Sequence, residues 1–460
     1  MQKYVNFMIT GEIRCHRSNY SARPAAHGSP SAPAGRKSRR SKSPWLLVIL
    51  CLEGLYFFCI YTNNSFVKKW RTIYINTAMD TMRHQWLATY FIPKDVIDEV
   101  RYEYGLVKAG TVGKESTWGR TDPAPADQTP STSNDSIVTL DPNVTHETDQ
   151  PDAEELTQEE LEKQAEENFY SVFWELDRTS METYLAEHPD TLANGWEHIY
   201  INEAGFDDEG TSIQSTFGEQ VLAIDAYNGV LLLRISGKGY RGVLAVGKDP
   251  SRLSIEMATT LGTAGQLSGT IAEAHNGVLA MNANGFLDPN GAGNGGLLAG
   301  YTMSNGKAYG DHFSAYAYKR IELHEDDLFY IKDALSPVSE DCTDAAEFTP
   351  ALIVDGKKIM DDYWTGEQPR ACIGQSEKYE ILMLVIEGRY PLEGILGTSV
   401  NNCSEILLQH KCMQAINLDG GSSAMLWFDG EYVTQSSSSP LRYTGGRPLP
   451  NAWVYKKAES

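Results

Sequence analysis

Apolar residues recur along this chain in three successive rhythms. The first is continuous: residues 45–62 are apolar except for Glu53, near the middle. A run of this length reads as a helix at the short end of what crosses about 30 Å of hydrocarbon. Trp45 and Tyr61 suit the two interfaces, and Glu53 costs about 2–3 kcal/mol on insertion. The second rhythm is helical. Ile73, Tyr74, Ala78, Met79, Met82, Trp86, Leu87 and Tyr90 recur at helical intervals before Pro93, predicting a juxtamembrane amphipathic helix within residues 64–104. Leu156, Leu161, Phe169, Val172, Phe173 and Leu176 predict another in a lead-in region, 153–210. There Thr179-x-x-Glu182 reads as a capping box opening a short helix that Pro189 ends. The third rhythm begins near residue 211 with short β-branched segments at 221–226, 230–235, 242–246 and 253–257. Asn228-Gly229 is a type I′ hairpin signal, repeated at Asn305-Gly306, Asp355-Gly356 and Asp429-Gly430. Only 262–275 and 398–410 read as helices. The expected fold of residues 211–456 is therefore α+β, with hairpin-rich mixed or antiparallel sheets and a few packed helices.

Charge adds a division that hydropathy does not show. The 460 residues include 61 acids and 39 bases, a net charge of −22. Residues 1–43 hold nine Lys/Arg and only Glu12, so a tail of +8 precedes a remainder of −30. A basic cluster beside an apolar run predicts a cytoplasmic tail (1–43), a transmembrane anchor (44–63) and a C-terminal bulk outside the cell membrane, single-pass. Pro, Ser, Thr, Gly and acids dominate residues 105–152, which read as a disordered acidic linker. The acidity excludes nucleic acid as the expected partner, because phosphate backbones need a basic face. Cys342, Cys372, Cys403 and Cys412 can pair in three ways that the sequence does not distinguish.

Most motif readings fail on context. Gly237-Lys238-Gly239-Tyr240-Arg241-Gly242 matches a dinucleotide-binding pattern but joins two strands and opens no helix, so it reads as a β-turn. There is no nucleophile elbow and no His-Glu-x-x-His. Three stretches are harder to explain as scaffold: Met281 to Pro289, with the Gly-rich loop to Gly300; Pro369 to Gln375, with the strand ending Glu387-Gly388-Arg389; and Ile416 to Met425. In each, an apolar strand delivers polar groups onto a glycine turn. Glycines let a ligand approach the backbone, whose successive amides can cradle an anion. Arginine grips phosphate with paired donors. Asp419, at a strand end, is a candidate catalytic carboxylate.

From about Gln220 to Tyr455 the chain resembles the phosphodiester glycosidase family. The resemblance is carried by Asn282 to Asp288, Gly300, Pro350-x-Leu352-Ile353-Val354-Asp355-Gly356-Lys357, Arg370-x-x-Ile373-Gly374-Gln375, Gly388-Arg389, Asn417 to Ser423, and Arg447-Pro448-x-x-Asn451. Members commonly carry Asp-Gly-Arg where this chain has Glu387-Gly388-Arg389. The resemblance implies a membrane-anchored extracellular hydrolase that cleaves the glycosidic bond of a sugar-1-phosphodiester in cell-wall or exopolysaccharide material. Asp419 would stabilise or serve an oxocarbenium-like transition state, with Glu387 as the alternative carboxylate and Arg370 completing the catalytic set. Arg370 and Arg389 would hold the phosphate, and Gly420, Gly421 and Ser422 would supply amides. Asn282 and Asn417 would orient sugar hydroxyls. Asn284, Asp288, Ser423 and Arg447 complete the substrate-binding set. No cofactor is expected, and calcium or magnesium stays open. The alternatives are a phosphopolysaccharide-binding module without turnover and a metal-dependent phosphodiesterase using Asp419, Asp288 and Glu387 as oxygen ligands.

Overall fold

A computed structural model describes residues 44–81, 84–118, 157–205, 208–289, 293–314, 317–360, 365–437 and 446–459. The basic tail and most of the acidic linker lie outside the described residues. Eight α-helices appear among those described: α1 (Pro44–Tyr61), α2 (Ser65–Met79), α3 (Trp86–Phe91), α4 (Lys94–Ala109), α5 (Gln158–Val172), α6 (Arg178–Glu187), α7 (Ser268–Ala274) and α8 (Val400–Gln409).

The N-terminal part departs from the sequence reading in three ways. Helix α1 has 18 residues, a length of about 27 Å at 1.5 Å per residue. Among the described residues no single helix is long and apolar enough to cross a membrane; only α1 and α2 as a bent pair pass on length and composition. The single spanning helix expected at 44–63 is corrected accordingly. The amphipathic helix expected within 64–104 is instead three: α2 ends at Met79 before α3 starts at Trp86, and Pro93 separates α3 from α4. These helices enclose a small core of their own, with Ile75, Ala78, Ala88, Ile92, Val96, Ile97 and Val100. The Asn64 side chain starts α2 by accepting the Phe66 and Val67 amides.

The linker reading also fails at its beginning. Helix α4 runs past Gly105, and the chain after it is hydrogen-bonded to the C-terminal domain. The Ser116 amide donates to the Ile331 carbonyl at 2.9 Å. Thr117 gives its amide and hydroxyl to the Asp355 carboxylate at 2.9 and 2.7 Å. The buried Lys319 ammonium donates to the carbonyls of Thr111 and Lys114 at 2.7 and 2.9 Å. Local composition cannot reveal partners more than 200 residues away.

The lead-in helices belong to the same core as the sheets. Phe169, Phe173, Met181 and Ile199 pack with Val221, Leu233, Leu244 and Leu384, so no packing boundary falls at residue 211. A capping box does occur, but at Thr157 and Glu160, where it opens α5. The cap of α6 is Asp177, whose carboxylate accepts the Ser180 amide at 2.8 Å. Thr179 lies inside the helix, which corrects the cap read from the sequence.

Every strand pairing described is antiparallel. The largest sheet has nine strands, in the spatial order Tyr200–Asn202, Gln220–Asp225, Val230–Gly237, Tyr240–Gly247, Ile381–Ile386, Arg370–Ser376, Cys412–Asn417, Ala351–Val354 and Lys357–Lys358. A five-stranded sheet is built around Gly277–Asn282, flanked by Leu426–Phe428 and Asn451–Lys456. A second five-stranded sheet is built around Cys342–Phe348 and Lys319–His324. The Asn305-Gly306, Asp355-Gly356 and Asp429-Gly430 turns have positive φ at both residues, as type I′ requires. Asn228-Gly229 differs. Asp225 pairs with Val230 across a longer turn, and only Gly229 has positive φ. The helix expected over 262–275 shrinks to α7, because the preceding segment bridges Gln266 to Leu449. Cys342, Cys372, Cys403 and Cys412 are free and buried.

One buried ion triad locks the lead-in region onto the large sheet. The Lys248 ammonium meets both oxygens of Glu175 at 2.6 Å and Glu380 at 2.8 Å. All three side chains are at most 7% exposed. Replacing Lys248 by Met would leave two carboxylates buried without their cation. The expected cost is about 3–5 kcal/mol, read as a lowered urea midpoint of the full chain; an unchanged midpoint would show that the triad holds nothing.

Candidate active site

The register of three neighbouring strands assembles the site. Arg370 opens one strand and stands opposite Ile386, the last residue of the next, so Glu387-Gly388-Arg389 follows directly beside it. On the other side Cys372 stands opposite Asn417, and the chain continues from there into Asp419 and the Gly420-Gly421 turn. Arg370, Arg389 and Asp419 therefore leave the same end of the nine-stranded sheet. Asn282, at the end of a strand in another sheet, joins them by donating its amide to the Asp419 carbonyl at 2.8 Å. Its buried Oδ1 has no hydrogen-bond partner, an acceptor that a ligand hydroxyl could satisfy.

Asp419 is half-buried, and desolvation pushes its pKa above the ordinary aspartate range. A hydrogen bond from Ser423 and the charges of Arg447 and Arg389 oppose that rise, while Asp288 adds to it. Arg389 is one of the two cations whose charge reaches this carboxylate. Burial and the nearby charge of Arg370 lower its pKa, and Asp419 opposes the shift. Its guanidinium makes no hydrogen bond to the described residues. Its backbone sits at φ +67°, a left-handed position costing about 1–3 kcal/mol for a residue other than glycine. Gly421, at φ +61°, lies under it: a β-carbon there would come within 3.0 Å of Arg389 Nη1. The absence of a side chain at 421 thus gives Arg389 its place.

The other candidates are held more tightly by the scaffold. Arg370 is buried and donates Nε to the Thr398 carbonyl at 3.0 Å and Nη2 to the Gly366 carbonyl at 2.6 Å. Glu387 has both oxygens engaged, one by Arg241 Nε and one by the Gln435 amide, each at 2.7 Å. Burial raises its pKa against those two partners. Asn284 is fully buried and spends its side chain on the Tyr301 carbonyl, the Thr302 hydroxyl and Asn451. Asn417 donates to the Thr349 carbonyl at 2.9 Å. Asp288 pairs with Arg447 at 2.8 Å and accepts the Gly293 amide at 2.6 Å; Arg447 also covers the Phe286 ring at 4.3 Å. The Gly421 amide donates to the Pro369 carbonyl, so it is not free to cradle an anion. A β-carbon at Gly420 would come within 2.5 Å of the same carbonyl. The Ser422 carbonyl accepts from the Ser436 hydroxyl at 3.4 Å.

The sequence reading omitted two residues that matter here. Tyr318 lies near enough to Asp419 for that charge, after burial, to raise its pKa, so it stays protonated and can donate. Its ring is stacked on Phe313 with centroids 3.9 Å apart. No glycine turn or motif marks it. Arg241 sits in the Gly-rich hairpin already dismissed as a cofactor loop; its link to Glu387 depends on strand pairing 146 residues away. Among the described residues no three of His, Cys, Asp and Glu could hold a metal ion. The trio that a metal reading needs is divided, because Glu387 and Asp288 are each committed to an arginine.

Comparison with known proteins bears on the same residues. No curated protein matches the sequence. Among solved structures, the catalytic domain of zebrafish N-acetylglucosamine-1-phosphodiester alpha-N-acetylglucosaminidase, auto-inhibited by pro-peptide, is 14% identical. That match covers 50% of this chain and 82% of that one, with a TM-score of 0.41. A hypothetical protein from Synechocystis is 15% identical over 53% of this chain and 65% of its own, with a TM-score of 0.35. Residues 275–456 match the family described as phosphodiester glycosidase. That segment, which contains Asn282, Arg370, Arg389 and Asp419, is a domain of the phosphodiester glycosidase family.

Proposed function

We propose that this domain hydrolyses the bond between an anomeric carbon and a phosphodiester, releasing a free sugar and a phosphomonoester. The observation that carries the proposal is the placement of Asp419 and Arg389, whose guanidinium bonds none of the described residues, at one sheet end where each charge acts on the other. A glycosyl phosphate leaves as an anion, so its departure needs a cation more than a strong acid. Arg389 fills that role, and the buried Arg370 keeps the phosphate side of the site positive. Asp419 stands on the sugar side, where a carboxylate stabilises the oxocarbenium-like transition state or activates water. The unpartnered Oδ1 of Asn282 accepts a sugar hydroxyl, and Tyr318 donates to the substrate or to Asp419. Glu387, tied to Arg241 and Gln435, positions the Arg389 turn rather than reacting. A phosphate-linked glycan or polymer is the substrate class, and its sugar is set by groups beyond these.

Replacing Asp419 by Asn should lower turnover of a nitrophenyl sugar phosphodiester by about 100-fold or more, with folding retained by circular dichroism. Wild-type turnover in that variant would remove Asp419 from the mechanism. Oxygen-18 water should label the released sugar; label in the phosphate would mean P–O cleavage instead.

The raised Asp419 pKa gives a pH test. The carboxylate works ionised, so kcat/KM should fall as pH drops through that pKa, at a pH above the ordinary aspartate value of about 3.9. An acid limb at or below that value would contradict the buried setting. Gly421→Ala should raise KM for the phosphodiester by displacing Arg389, beyond the roughly 1–2 kcal/mol backbone cost of a left-handed alanine. An unchanged KM would show that Arg389 does not hold the phosphate.

A further inference from the structure

Helices α2 and α3 carry more exposed aromatic surface than a water-facing bundle of their size needs. Phe66, Trp70 and Tyr74 recur every fourth residue on α2, forming one stripe. Their exposure falls along the helix, from 69% to 49% to 43%. The stripe ends at Thr77, whose hydroxyl accepts the Glu367 amide of the catalytic domain at 3.1 Å. On α3, Trp86, Tyr90 and Phe91 are 52%, 82% and 57% exposed. Hydrogen bonds join the two helices to each other and to the end of α1. The Tyr74 hydroxyl donates to the Leu87 carbonyl, and Tyr56 donates to the Phe91 carbonyl, both at 2.8 Å. Arg71 caps the end of α1, reaching the carbonyls of Cys59 at 3.2 Å and Ile60 at 2.6 Å, and that of Thr62 just beyond it at 3.1 Å. The exposed aromatics therefore gather around one end of an apolar helix, beside a fixed cation.

We propose that this collar lies in the headgroup region of an anionic lipid bilayer. Trp, Tyr and Phe suit that region because their rings are apolar at one end and wet at the other. The exposure gradient on α2 runs from the α1 junction, where lipid would be, to Thr77, where the catalytic domain takes over. Charge selects the partner. Residues 65–109 contain seven basic and five acidic side chains, in a chain whose net charge is −22, so the collar, like the +8 tail before α1, is a part that an anionic surface attracts. A second copy, carrying the same −22, would be repelled. The collar is also tied to the site. The Glu367 amide bonds Thr77, and the Gly366 carbonyl next to it accepts Arg370 Nη2. The bilayer and the phosphate-facing arginine are thus separated by one helix and one loop, and the phosphodiesters within reach are those displayed at a membrane surface. This last step rests on the proposed function; the collar itself does not.

The test uses the full chain with vesicles of equal parts phosphatidylglycerol and phosphatidylcholine, the latter brominated on its acyl chains. Bromine should quench part of the tryptophan emission, and Trp70→Phe and Trp86→Phe should each remove some of the quenched component. Capture should weaken on purely zwitterionic vesicles. Identical quenching in wild type and both variants would overturn the proposal. So would equal capture on zwitterionic lipid, or a dimer that both variants abolish. Turnover of a soluble sugar phosphodiester should be unchanged in both variants, so a failure here stays distinct from a failure of the glycosidase reading.

Discussion

Antiparallel register in the middle of the large sheet is the constraint from which the site follows. The strand Arg370–Ser376 has one neighbour at Ile381–Ile386 and another at Cys412–Asn417, and all three are buried along their lengths except at Met413. A slip of one residue in either pairing would exchange the two buried faces and break the packing on both sides of the sheet. That penalty fixes the relative height of the strand ends. Because the strands are antiparallel, the start of one and the ends of its neighbours coincide. Arg370, Arg389 and Asp419 meet for this reason, although they come from three separate stretches of sequence.

The polar residues around that point divide by what they touch. Asn284, Asn417, Asp288 and Glu387 look, in the sequence, as reactive as Asp419. In the fold each spends its acceptors or donors on carbonyls, amides or arginines of the scaffold. They hold the turns that the arginines and Asp419 occupy. What remains for a ligand is a short set: the Arg389 guanidinium, Asn282 Oδ1, and an Asp419 carboxylate that accepts from Ser423 and whose burial works against its charge. Desolvation accounts for both perturbed groups here. It lowers the pKa of Arg389 and raises that of Asp419, which makes each a stronger partner for an incoming charge or dipole.

Helical and strand rhythms were legible wherever a local pattern was also the tertiary one. The strands from Gln220 to Met257 follow their β-branched runs, and three Asn-Gly or Asp-Gly turns formed as read. The misses share a cause. The helical period read from Ile73 to Tyr90 folds as two helices, one ending at Met79 and the next starting at Trp86, that pack on one another. Residues 105–118 read as spacer because their partners, Ile331, Asp355 and Lys319, are remote in sequence. Asp177 rather than Thr179 caps α6, since a carboxylate three residues before a free amide competes well for it.

By itself, the sequence determined the types of element, the uneven charge and the glycine-bounded motifs, because these rest on neighbours within a few residues. It also determined the family of residues 275–456, through the spacing of those motifs. Only the tertiary structure decided which polar residue is scaffold and which is left for a ligand. That choice depends on hydrogen bonds across 137 residues, as from Asn282 to Asp419, or 146, as from Arg241 to Glu387. It depends equally on burial, which no local pattern encodes. Tyr318 makes the point most plainly: an unremarkable tyrosine in the sequence becomes a neighbour of Asp419 once the sheets close around it.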